Sequence, residues 1–377
     1  MPEKPSTSEV LLSSGKAAKP LRGFIGFDGF IDEIVHVVES RTDVNNYTRI
    51  KTIGDYARRI MGGSGLSTNI EVVNKMRKLG GNGPNFAVPL RLLGMDLVYV
   101  GTVGSGTGEC GSFDPVFEEF GKSLKLIGLA DPGRSQCFEF DDGKIIVSRS
   151  ESLSELTPDK LTESIGKQQL LDMLSDADLI AMNNWTMLPY MSEIWEMLLA
   201  DYVPEIKKRC DLASKVIFVD IADPEKRSRD DIRRALDILG RYTEAGFRTV
   251  LGLNKKEGCE IAEVFGKKIE DYAGHPLEDI CRFDAEHLNL TCLIVHPVDR
   301  AASMTGGVFT ETPGPYCEKP LLTTGAGDNF NAGYIFGYLN GFSQEDCLRC
   351  GVGTSGFYVR NARSPELQEL AEFLKTF

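Results

Sequence analysis

A small-residue turn followed by a helical pattern is the most chemically suggestive segment of the chain. Residues 321–342 read LLTTGAGDNFNAGYIFGYLNGF, in which the turn covers residues 323–328. A glycine-rich turn that opens a helix presents unpaired backbone N–H groups at the positive end of the helix dipole, and such a site binds anions. Apolar side chains follow the turn at helical spacing, at Phe330, Tyr334, Ile335 and Tyr338. The sequence therefore predicts an anion site at the start of a helix.

Asp328 lies on the first turn of this predicted helix. A carboxylate at that position can serve simply as an N-terminal cap. Beside a bound phosphate, it can instead accept a proton from an attacking hydroxyl group. Phosphoryl transfer needs charge stabilisation and an oriented nucleophile, and an anion turn with an adjacent carboxylate supplies both. The segment therefore favours phosphoryl transfer, with Asp328 as the base.

Short apolar runs that alternate with helical stretches have to position these residues. The strand candidates begin at Gly23, Leu97, Asp178, Lys215, Thr249 and Thr291, and the helix candidates cover residues 191–206, 230–245 and 255–265. Each apolar run ends in a polar or glycine residue, which is typical of a strand buried on both faces. Strand and helix repeated in this order predict an α/β fold, with a mostly parallel sheet that is covered by helices on both faces.

Polar residues stand at or just past the ends of several predicted strands. They are Asp28, Asn183, Asn184, Asp220, Asp223 and Asn254. Ligands of parallel sheets bind at the carboxyl ends of the strands. We therefore expect the functional site to include members of this set.

Two stretches interrupt the alternation of strands and helices, residues 33–79 and 135–150. The first contains two apolar runs around a polar, glycine-rich insertion at 41–67. The second reads SQCFEFDDGKIIVSRS, which is a β-hairpin pattern with Asp142 and Gly143 at the turn. Strands outside the main sheet predict a small β-lid that could close over a substrate and exclude water. A plain surface excursion is the alternative.

The bulk composition fits one domain of a globular enzyme. The chain has 377 residues, of which 42% are hydrophobic, and we interpret residues 1–20 as a flexible tail before a domain over 21–377. A net charge of −13 argues against nucleic-acid and membrane-surface binding, and no apolar run is long enough to span a bilayer. Nine scattered cysteines favour reduced thiols in the cytoplasm, and the CxxC pair Cys347 and Cys350 is interpreted as helix packing.

Four motifs of the chain resemble those of the ribokinase-like carbohydrate kinases, the PfkB family. TTGAGD at 323–328 resembles the C-terminal signature of that family, and KLGGNGPNFAVPLRLLG at 78–94 is similar to its N-terminal signature. GFDGFID resembles its first strand, with the aspartate at Asp28, and NKKEG matches its Asn-x-x-Glu motif at Asn254 and Glu257. The motifs occur in the expected order. The resemblance implies a three-layer sandwich with a mostly parallel central sheet and a small β-lid.

The resemblance also implies the residues of the sugar site. Asp28 would hydrogen-bond sugar hydroxyl groups, and Asp328 would be the catalytic base. Glycine is needed where a substrate approaches the backbone closely. The other residues that would line the sugar site are Gly81, Asn82 and Asn85.

ATP and Mg²⁺ are the cofactors that the resemblance implies. Asn254 and Glu257 would position Mg²⁺ and its waters near the phosphates, and Thr323 would contact the nucleotide. Asn254 and Glu257 are three residues apart at a strand-to-helix junction, so a capping box is the alternative reading of this pair. The backbone amides that would hold the transferring phosphoryl group are those of Gly325, Ala326 and Gly327.

Two departures from the family pattern concern the nucleotide and a cation. Leu322 stands where the family has an aspartate associated with a monovalent-cation loop, which leaves potassium dependence in doubt. His296 and the next three residues replace a Thr/Ser-Leu-Gly-like turn near the nucleotide. Nucleotide contacts there can differ, and ADP is an alternative phosphate donor.

Three functions are compatible with these motifs. A sugar kinase is the first, with a sugar-like substrate and a nucleotide as its partners. A nucleoside kinase of the same fold would need aromatic stacking in the lid, for which Phe138, Phe140 and Tyr47 are available. A catalytically silent sugar-binding protein is the third, and the altered Leu322 and His296 motivate it.

A homodimer that pairs through the lids is a further expectation from the resemblance. An exposed apolar face on the lid would support it. The residues predicted to form that face are Ile34, Val35, Val37 and Val38.

Overall fold

The structure, a computed structural model, describes residues 5–14 and 20–377. Its strands in chain order are β1 Arg22–Phe27, β2 Phe30–Arg41, β3 Tyr47–Arg49, β4 Val72–Gly80, β5 Asp96–Gly101, β6 Gly104–Thr107, β7 Ser112–Phe113, β8 Lys125–Ala130, β9 Gly133–Phe140, β10 Gly143–Arg149, β11 Leu179–Met182, β12 Val216–Asp220, β13 Arg248–Leu253, β14 Cys292–Val295, β15 Arg300–Thr305 and β16 Val308–Pro313. Its α-helices are α1 Thr7–Ser14, α2 Ile53–Met61, α3 Asn82–Leu92, α4 Pro115–Gly121, α5 Pro158–Ile165, α6 Lys167–Asp176, α7 Met191–Met197, α8 Val203–Lys207, α9 Arg229–Ala245, α10 Lys255–Val264, α11 Leu277–His287, α12 Ala326–Leu339, α13 Gln344–Asn361 and α14 Leu367–Phe373. The six strands predicted from the sequence are confirmed as β1, β5, β11, β12, β13 and β14.

The central sheet has a parallel middle and antiparallel edges. Within the described residues it has eleven strands, in the order β16-β15-β14-β13-β12-β11-β1-β5-β8-β6-β7. The strands from β14 to β8 in this order are parallel to their neighbours. Antiparallel pairs extend the sheet at both ends. The carboxyl ends of the parallel strands therefore meet along one edge, as predicted.

Helices cover both faces of this sheet, because its middle strands are apolar on both sides. In β12, Ile217 and Val219 belong to one apolar core, whereas Val216 and Phe218 belong to the other. The first core packs against α5 to α11, and the second packs against α3, α12, α13 and α14. Alternate side chains of one strand thus hold two helical layers, which gives the three-layer architecture.

A second sheet is built from the two stretches that interrupt the alternation. Its strand order is β10-β9-β2-β3, and β4 also pairs with β2. β9 and β10 form the predicted hairpin, but Phe140 pairs with Gly143, so the turn residues are Asp141 and Asp142. The predicted turn was therefore one residue too late. We call this sheet the lid.

The flexible tail predicted over residues 1–20 is wrong for the part of it that the structure describes. Residues 7–14 form α1, in which Leu11 is fully buried. Thr7 Oγ1 donates to Asp346 Oδ1 at 2.6 Å, and Ser8 Oγ donates to the Ala371 carbonyl oxygen at 2.8 Å. These contacts attach α1 to α13 and α14, which no local pattern in the sequence reveals. Residues 1–4 and 15–19 lie outside the described residues.

Two composition-based predictions can be compared with the structure. No helix in the part of the chain that the structure describes is both long and apolar enough to cross a membrane. Cys347 and Cys350 are fully buried on α13 in the second apolar core, so the interpretation of this pair as helix packing is confirmed.

Candidate active site

The predicted site residues converge at the carboxyl edge of the central sheet. Asp28 follows β1, Asn184 lies just past the end of β11, Asp220 ends β12 and Asn254 follows β13. The first turns of α3 and α12 reach the same edge. A polar cavity of about 380 Å³ opens there. It is lined by Asp32, Gly81, Asn82, Asn85, Ser135, Lys144, Ser148, Asn184, Asp223, Lys226, Thr323, Thr324, Gly325 and Asp328, among others.

The predicted anion turn lies at the start of α12. Gly325 has a φ of 94° at the N-cap of this helix, in the left-handed region that glycine adopts without strain. The Ala326 amide donates to the Thr323 carbonyl oxygen at 3.1 Å. That hydrogen bond corrects the prediction for one of the three amides, because it occupies the N–H of Ala326. Among the described residues, no carbonyl accepts from the amides of Gly325 and Gly327, which leaves both N–H groups for an anion.

Asp328 lies on the first turn of α12 and is only 8% exposed. Burial raises its pKa well above the ordinary value of 3.8, and the negative charge of Asp28 raises it further. The positive charge of Lys78 opposes this effect. A carboxylate whose proton affinity is raised in this way is a stronger base, and it borders the polar cavity directly.

Asp28 lies beneath the floor of the polar cavity rather than on its surface. It is fully buried, and its carboxylate accepts from the backbone amides of Asn82 and Gly83, each at 2.8 Å. Asn184 Nδ2 donates to the same carboxylate at 2.7 Å. A Cβ atom at Gly81 would come within 2.8 Å of Asp28 Oδ2, so glycine is required where α3 begins. Asp28 thus holds the α3 turn and Asn184 in place.

Asn254 and Glu257 form the capping box of α10. The Glu257 amide donates to Asn254 Oδ1 at 3.0 Å, and the Asn254 amide donates to Glu257 Oε2 at 2.7 Å. Glu257 Oε1 also accepts from the Asp223 amide at 3.0 Å. The capping alternative is therefore confirmed for this pair. A role in positioning a metal can coexist with it, because each carboxylate oxygen keeps a further lone pair.

Buried carboxylates with mutually repelling charges characterise this edge. Burial raises the pKa of Asp220 well above 3.8, and the charges of Glu257, Asp328 and Asp28 raise it further. Burial likewise raises the pKa of Glu257. Carboxylate oxygens such as those of this acidic cluster are ligands of the kind that Mg²⁺ prefers. In the part of the chain that the structure describes, no three His, Cys, Asp or Glu side chains are grouped so that they could hold a metal ion directly, so these oxygens fit a Mg²⁺ that keeps water and phosphate ligands.

A second cavity of about 380 Å³ adjoins the first across the α12 turn and is more apolar. It is lined by Asn254, His296, Pro297, Val298, Pro315, Thr323, Ala326, Gly327, Phe330, Val352 and Val359, among others. The His296 ring packs on Phe330, with 4.8 Å between the ring centroids. Burial lowers the pKa of His296 to about 4, so the imidazole is neutral at physiological pH. An apolar cavity that ends at an anion turn is suited to a nucleotide.

Three residues other than glycine adopt left-handed backbone conformations at this edge. They are Asn184 with φ 61°, Ala222 with φ 52° and Asp223 with φ 43°. Such conformations are disfavoured for these residues and are retained when the surroundings enforce them. The Asn184 amide donates to the Asp220 carbonyl oxygen at 2.8 Å, which fixes the loop after β11 against β12. The strained backbone thus coincides with the polar cavity.

The lid supplies cavity residues that the sequence reading missed. Asp32 lies on β2, and it stands within the GFDGFID segment that had drawn attention only to Asp28. Ser135 and Ser148 pair across the hairpin, with 2.9 Å between their hydroxyl oxygens. Lys144 lies next to the turn on β10. The period-two alternation of a hairpin could have shown which side chains share a face, but it could not show that the face meets this cavity.

The aromatic residues that a nucleoside site would need lie elsewhere. Phe138 and Phe140 are buried and stack on Tyr56, with ring centroids 5.7 Å and 5.5 Å apart. Tyr47 pairs with His36, with 3.2 Å between Tyr47 Oη and His36 Nδ1. Phe138 and Phe140 belong to the apolar interior of the lid, whereas Tyr47 is half-buried on β3, and none of the three lines the polar cavity.

The apolar face predicted for a lid dimer is also absent at the named positions. Ile34, Val35, Val37 and Val38 are all buried. Val35 and Val37 pack in the apolar interior of the lid with Ile50, Phe138 and Phe140. The apolar residues that the lid does expose are Val72, Met76, Ile146 and Val147.

Solved structures and one sequence relative resemble the chain along most of its length. A ketohexokinase of Haloferax volcanii is 26% identical over 360 residues, which cover 93% of this chain and 90% of that protein. A nucleoside kinase of Methanocaldococcus jannaschii, a member of the ribokinase family, superposes with a TM-score of 0.59 at 17% identity, over 96% of this chain and all of that one. The ribokinase of Arabidopsis thaliana, solved with ribose and ATP, gives a TM-score of 0.62 at 16% identity, over 95% and 99% of the two chains.

The two structural likenesses confirm the predicted ribokinase-like fold. The family is shown by sequence, since a model of prokaryotic ketohexokinase matches residues 16–377. The chain therefore belongs to the prokaryotic ketohexokinase family, within the ribokinase-like (PfkB) sugar kinases, and is a phosphotransferase with an alcohol group as acceptor.

Proposed function

We propose that this protein transfers the γ-phosphoryl group of ATP to a hydroxyl group of a ketohexose. The α12 turn carries the proposal because it separates the two cavities. Thr323 lines both of them, Gly325 and Asp328 line the polar cavity, and Gly327 lines the apolar one. A sugar in the polar cavity and a nucleotide in the apolar cavity would meet at this turn. The match to the ketohexokinase family supports a ketohexose as the acceptor.

The transfer itself needs a base and an anion site at one place. Asp328 would take the proton of the sugar hydroxyl while its oxygen attacks the γ-phosphorus atom. The amides of Gly325 and Gly327 would donate to the oxygens of the transferring group. The Ala326 amide would join them only if its hydrogen bond to Thr323 opened.

The floor and the lid would orient the sugar. Gly81, Asn82 and Asn85 line the polar cavity, as their predicted role requires. Asp32 borders the same cavity and is a further acceptor for sugar hydroxyl groups. The predicted contact of Asp28 with the sugar would require Asn82 and Asn184 to move, because both are hydrogen-bonded to the Asp28 carboxylate. We therefore propose that Asp28 positions Asn82 and Asn184.

Mg²⁺ bound with the nucleotide would neutralise phosphate charge and lower the barrier for attack. Asn254 and Glu257 would orient its water ligands, and Asp220 adds a third oxygen donor at the same edge. With Leu322 in place of the aspartate, no monovalent cation is part of the proposal.

A cytoplasmic location and a homodimer stay predictions. The homodimer would now form through the exposed Val72 and Met76 of the lid.

Two other functions compete with this one. The nucleoside-kinase alternative is weakened because Phe138 and Phe140 are buried in the lid interior, which leaves Phe30 as the aromatic side chain that lines the polar cavity among the described residues. The silent binding-protein alternative is weakened by the joint presence of Asp328, Glu257 and the free amides of the anion turn.

A substrate panel tests the proposal. Purified protein with Mg²⁺ and either ATP or ADP would be given ketohexoses, aldohexoses, pentoses and nucleosides, and nucleotide turnover would be measured. We expect turnover with ATP and a ketohexose at the highest kcat/KM. A nucleoside as the best acceptor would replace the proposal with the second function. Ligand binding without any turnover would favour the third.

A further inference from the structure

Lys144 reaches from the lid hairpin to the anion turn. Its Nζ donates to Thr324 Oγ1 at 2.6 Å and to Thr323 Oγ1 at 3.4 Å. These two residues directly precede Gly325, whose amide would hold the transferring phosphoryl group. The ammonium group therefore lies beside the predicted phosphate position, and it borders the same cavity as Asp328.

The charge of Lys144 is not committed to a carboxylate. Within residues 5–14 and 20–377 it forms no ion pair, whereas Lys226, which lines the same cavity, is paired with Asp223 at 3.1 Å. The hydroxyl groups that Lys144 contacts are neutral acceptors. Phosphate oxygens are negatively charged, so an ammonium group is attracted to them more strongly than to neutral hydroxyl oxygens, and they can displace the two hydroxyl groups as partners.

The surroundings of the anion turn create a need for such a cation. Asp328, Asp220 and Glu257 are buried carboxylates of this edge, and Asp32 is a buried carboxylate of the lid that borders the same cavity as Asp328. Lys78, whose Nζ donates to the Thr324 carbonyl oxygen at 3.5 Å, offsets only part of this negative charge, because the pKa of Asp328 stays well above 3.8. A phosphoryl group with several negative oxygens would therefore still meet repulsion. A cation beside the turn would offset part of that repulsion in the transition state, where charge spreads over the equatorial oxygens.

We infer that Lys144 binds the phosphoryl group during transfer and stabilises its charge, so that the lid completes the active site. This inference rests on the proposed function. In the step, a bond forms between the sugar oxygen and the γ-phosphorus atom, and the bond from that phosphorus to the oxygen bridging the β-phosphorus breaks. The bonding pair stays with ADP, the hydroxyl proton moves to Asp328, and Lys144 remains protonated throughout.

A purely structural role for Lys144, as a latch between the lid and the α12 turn, is the rival explanation. A latch would affect substrate retention and would not depend on a cation as such. A charge that acts on the transferring group would change kcat more than KM. It could also be supplied from outside by a small primary amine.

The experiment compares Lys144→Met, Lys144→Arg and Lys144→Ala with Lys75→Met, a change of an exposed lysine on β4. Removing one charged donor to the transition state is expected to lower kcat about 100- to 1,000-fold, with KM for the sugar changed less than about threefold. We expect the arginine variant to retain more activity than the methionine variant, and ethylammonium to restore activity to Lys144→Ala. Lys75→Met should match the unaltered protein.

Two results would overturn the inference: a kcat for Lys144→Met close to that of the unaltered protein, or a loss that neither arginine nor ethylammonium relieves. A failure of the proposed function is recognised separately, by a lack of phosphorylation in the unaltered protein and in Lys75→Met. In that case, binding of MgADP with fluoroaluminate, measured by calorimetry, tests Lys144 on its own. We expect weaker binding by Lys144→Met, and equal binding would reject the role.

Discussion

Asp328 combines a buried position with a charge that its neighbours repel. The raised pKa follows from removal of water and from the nearby Asp28, so the folded protein binds the Asp328 proton more tightly than the unfolded chain does. Replacing the carboxylate with a neutral amide removes that repulsion. The same change removes the proposed base, so activity and stability should respond in opposite directions.

For Asp328→Asn we predict a loss of kcat of about 100- to 10,000-fold, the usual contribution of a general base. The free energy of unfolding should stay equal or rise. Kinetic assays and urea unfolding would measure the two quantities. Asp159→Asn is the matched control, since Asp159 lies on the first turn of α5 but is exposed. Unchanged turnover in Asp328→Asn would remove this residue from the mechanism.

The pH dependence of activity should reflect the titration of the Asp328 carboxylate. A base with a raised pKa is protonated, and therefore inactive, over a wider acidic range, so kcat/KM should fall as pH decreases through a value well above 3.8.

The contribution of Asp328 to folding stability should change with pH in the opposite direction, since it decreases as pH rises. A raised folded-state pKa favours folding below the unfolded-state pKa, and this contribution is lost as pH rises. The stability gain of Asp328→Asn should therefore be larger at pH 8 than at pH 5, and a gain independent of pH would contradict the assignment.

At the scale of single elements, α10 shows how one side chain can serve two purposes. Glu257 caps the helix through the Asn254 amide, accepts from the Asp223 amide, and lies in the acidic cluster. The sequence spacing suggested both a cap and a metal residue, and only the cap could be checked by geometry. The loop with Asp223 could not be predicted, because its contact with Glu257 joins residues 34 positions apart.

For Glu257→Gln we predict that the Mg²⁺ concentration for half-maximal activity rises about 10- to 100-fold, as for other residues that support metal ligands. Glutamine keeps the capping box but cannot accept from both backbone amides, so stability should fall by about 1–3 kcal/mol. Magnesium titrations and thermal unfolding would measure the two effects. Glu263→Gln on the same helix is the control, and an identical Mg²⁺ requirement in the two variants would exclude Glu257 from the metal site.

The elements that the sequence predicted are those with local signals. β1, β5 and β11 to β14 are apolar runs of one strand length, and α12 follows a glycine turn. Lid residues such as Asp32 and Lys144 gave no local signal of their function. Their place in the cavity depends on how β2 and β10 meet the α12 turn, and that arrangement is set by pairing between distant segments.

At the scale of the whole molecule, α1 shows the same limitation. Its sequence is polar enough to resemble a tail, yet Leu11 is fully buried against α13 and α14. For Leu11→Ala we predict a loss of about 2–5 kcal/mol of unfolding free energy, the usual cost of such a truncation in a core. Chemical unfolding would measure it, with Ser13→Ala on the exposed side of α1 as the control. Equal stability of the two variants would mean that α1 does not anchor the fold in solution.

The whole architecture brings two cavities together at one turn, and this arrangement is the central claim of the account. The parallel sheet places β11, β12 and β13 in that order on one side of β1, α12 closes the edge, and the lid borders the polar cavity. Each of these parts is held by contacts between distant segments. The resemblance of short motifs predicted the family. The position of the α12 turn between a polar and an apolar cavity could be seen only in the folded structure.

The most direct test follows the phosphoryl group itself. ATP labelled at the γ-phosphate would be incubated with a ketohexose, Mg²⁺ and either the unaltered protein or Asp328→Asn, and the products would be separated by mass spectrometry. The account predicts label on a ketohexose monophosphate with the unaltered protein and almost none with the variant. Label that stays on ATP, or that appears only as free phosphate, would contradict it.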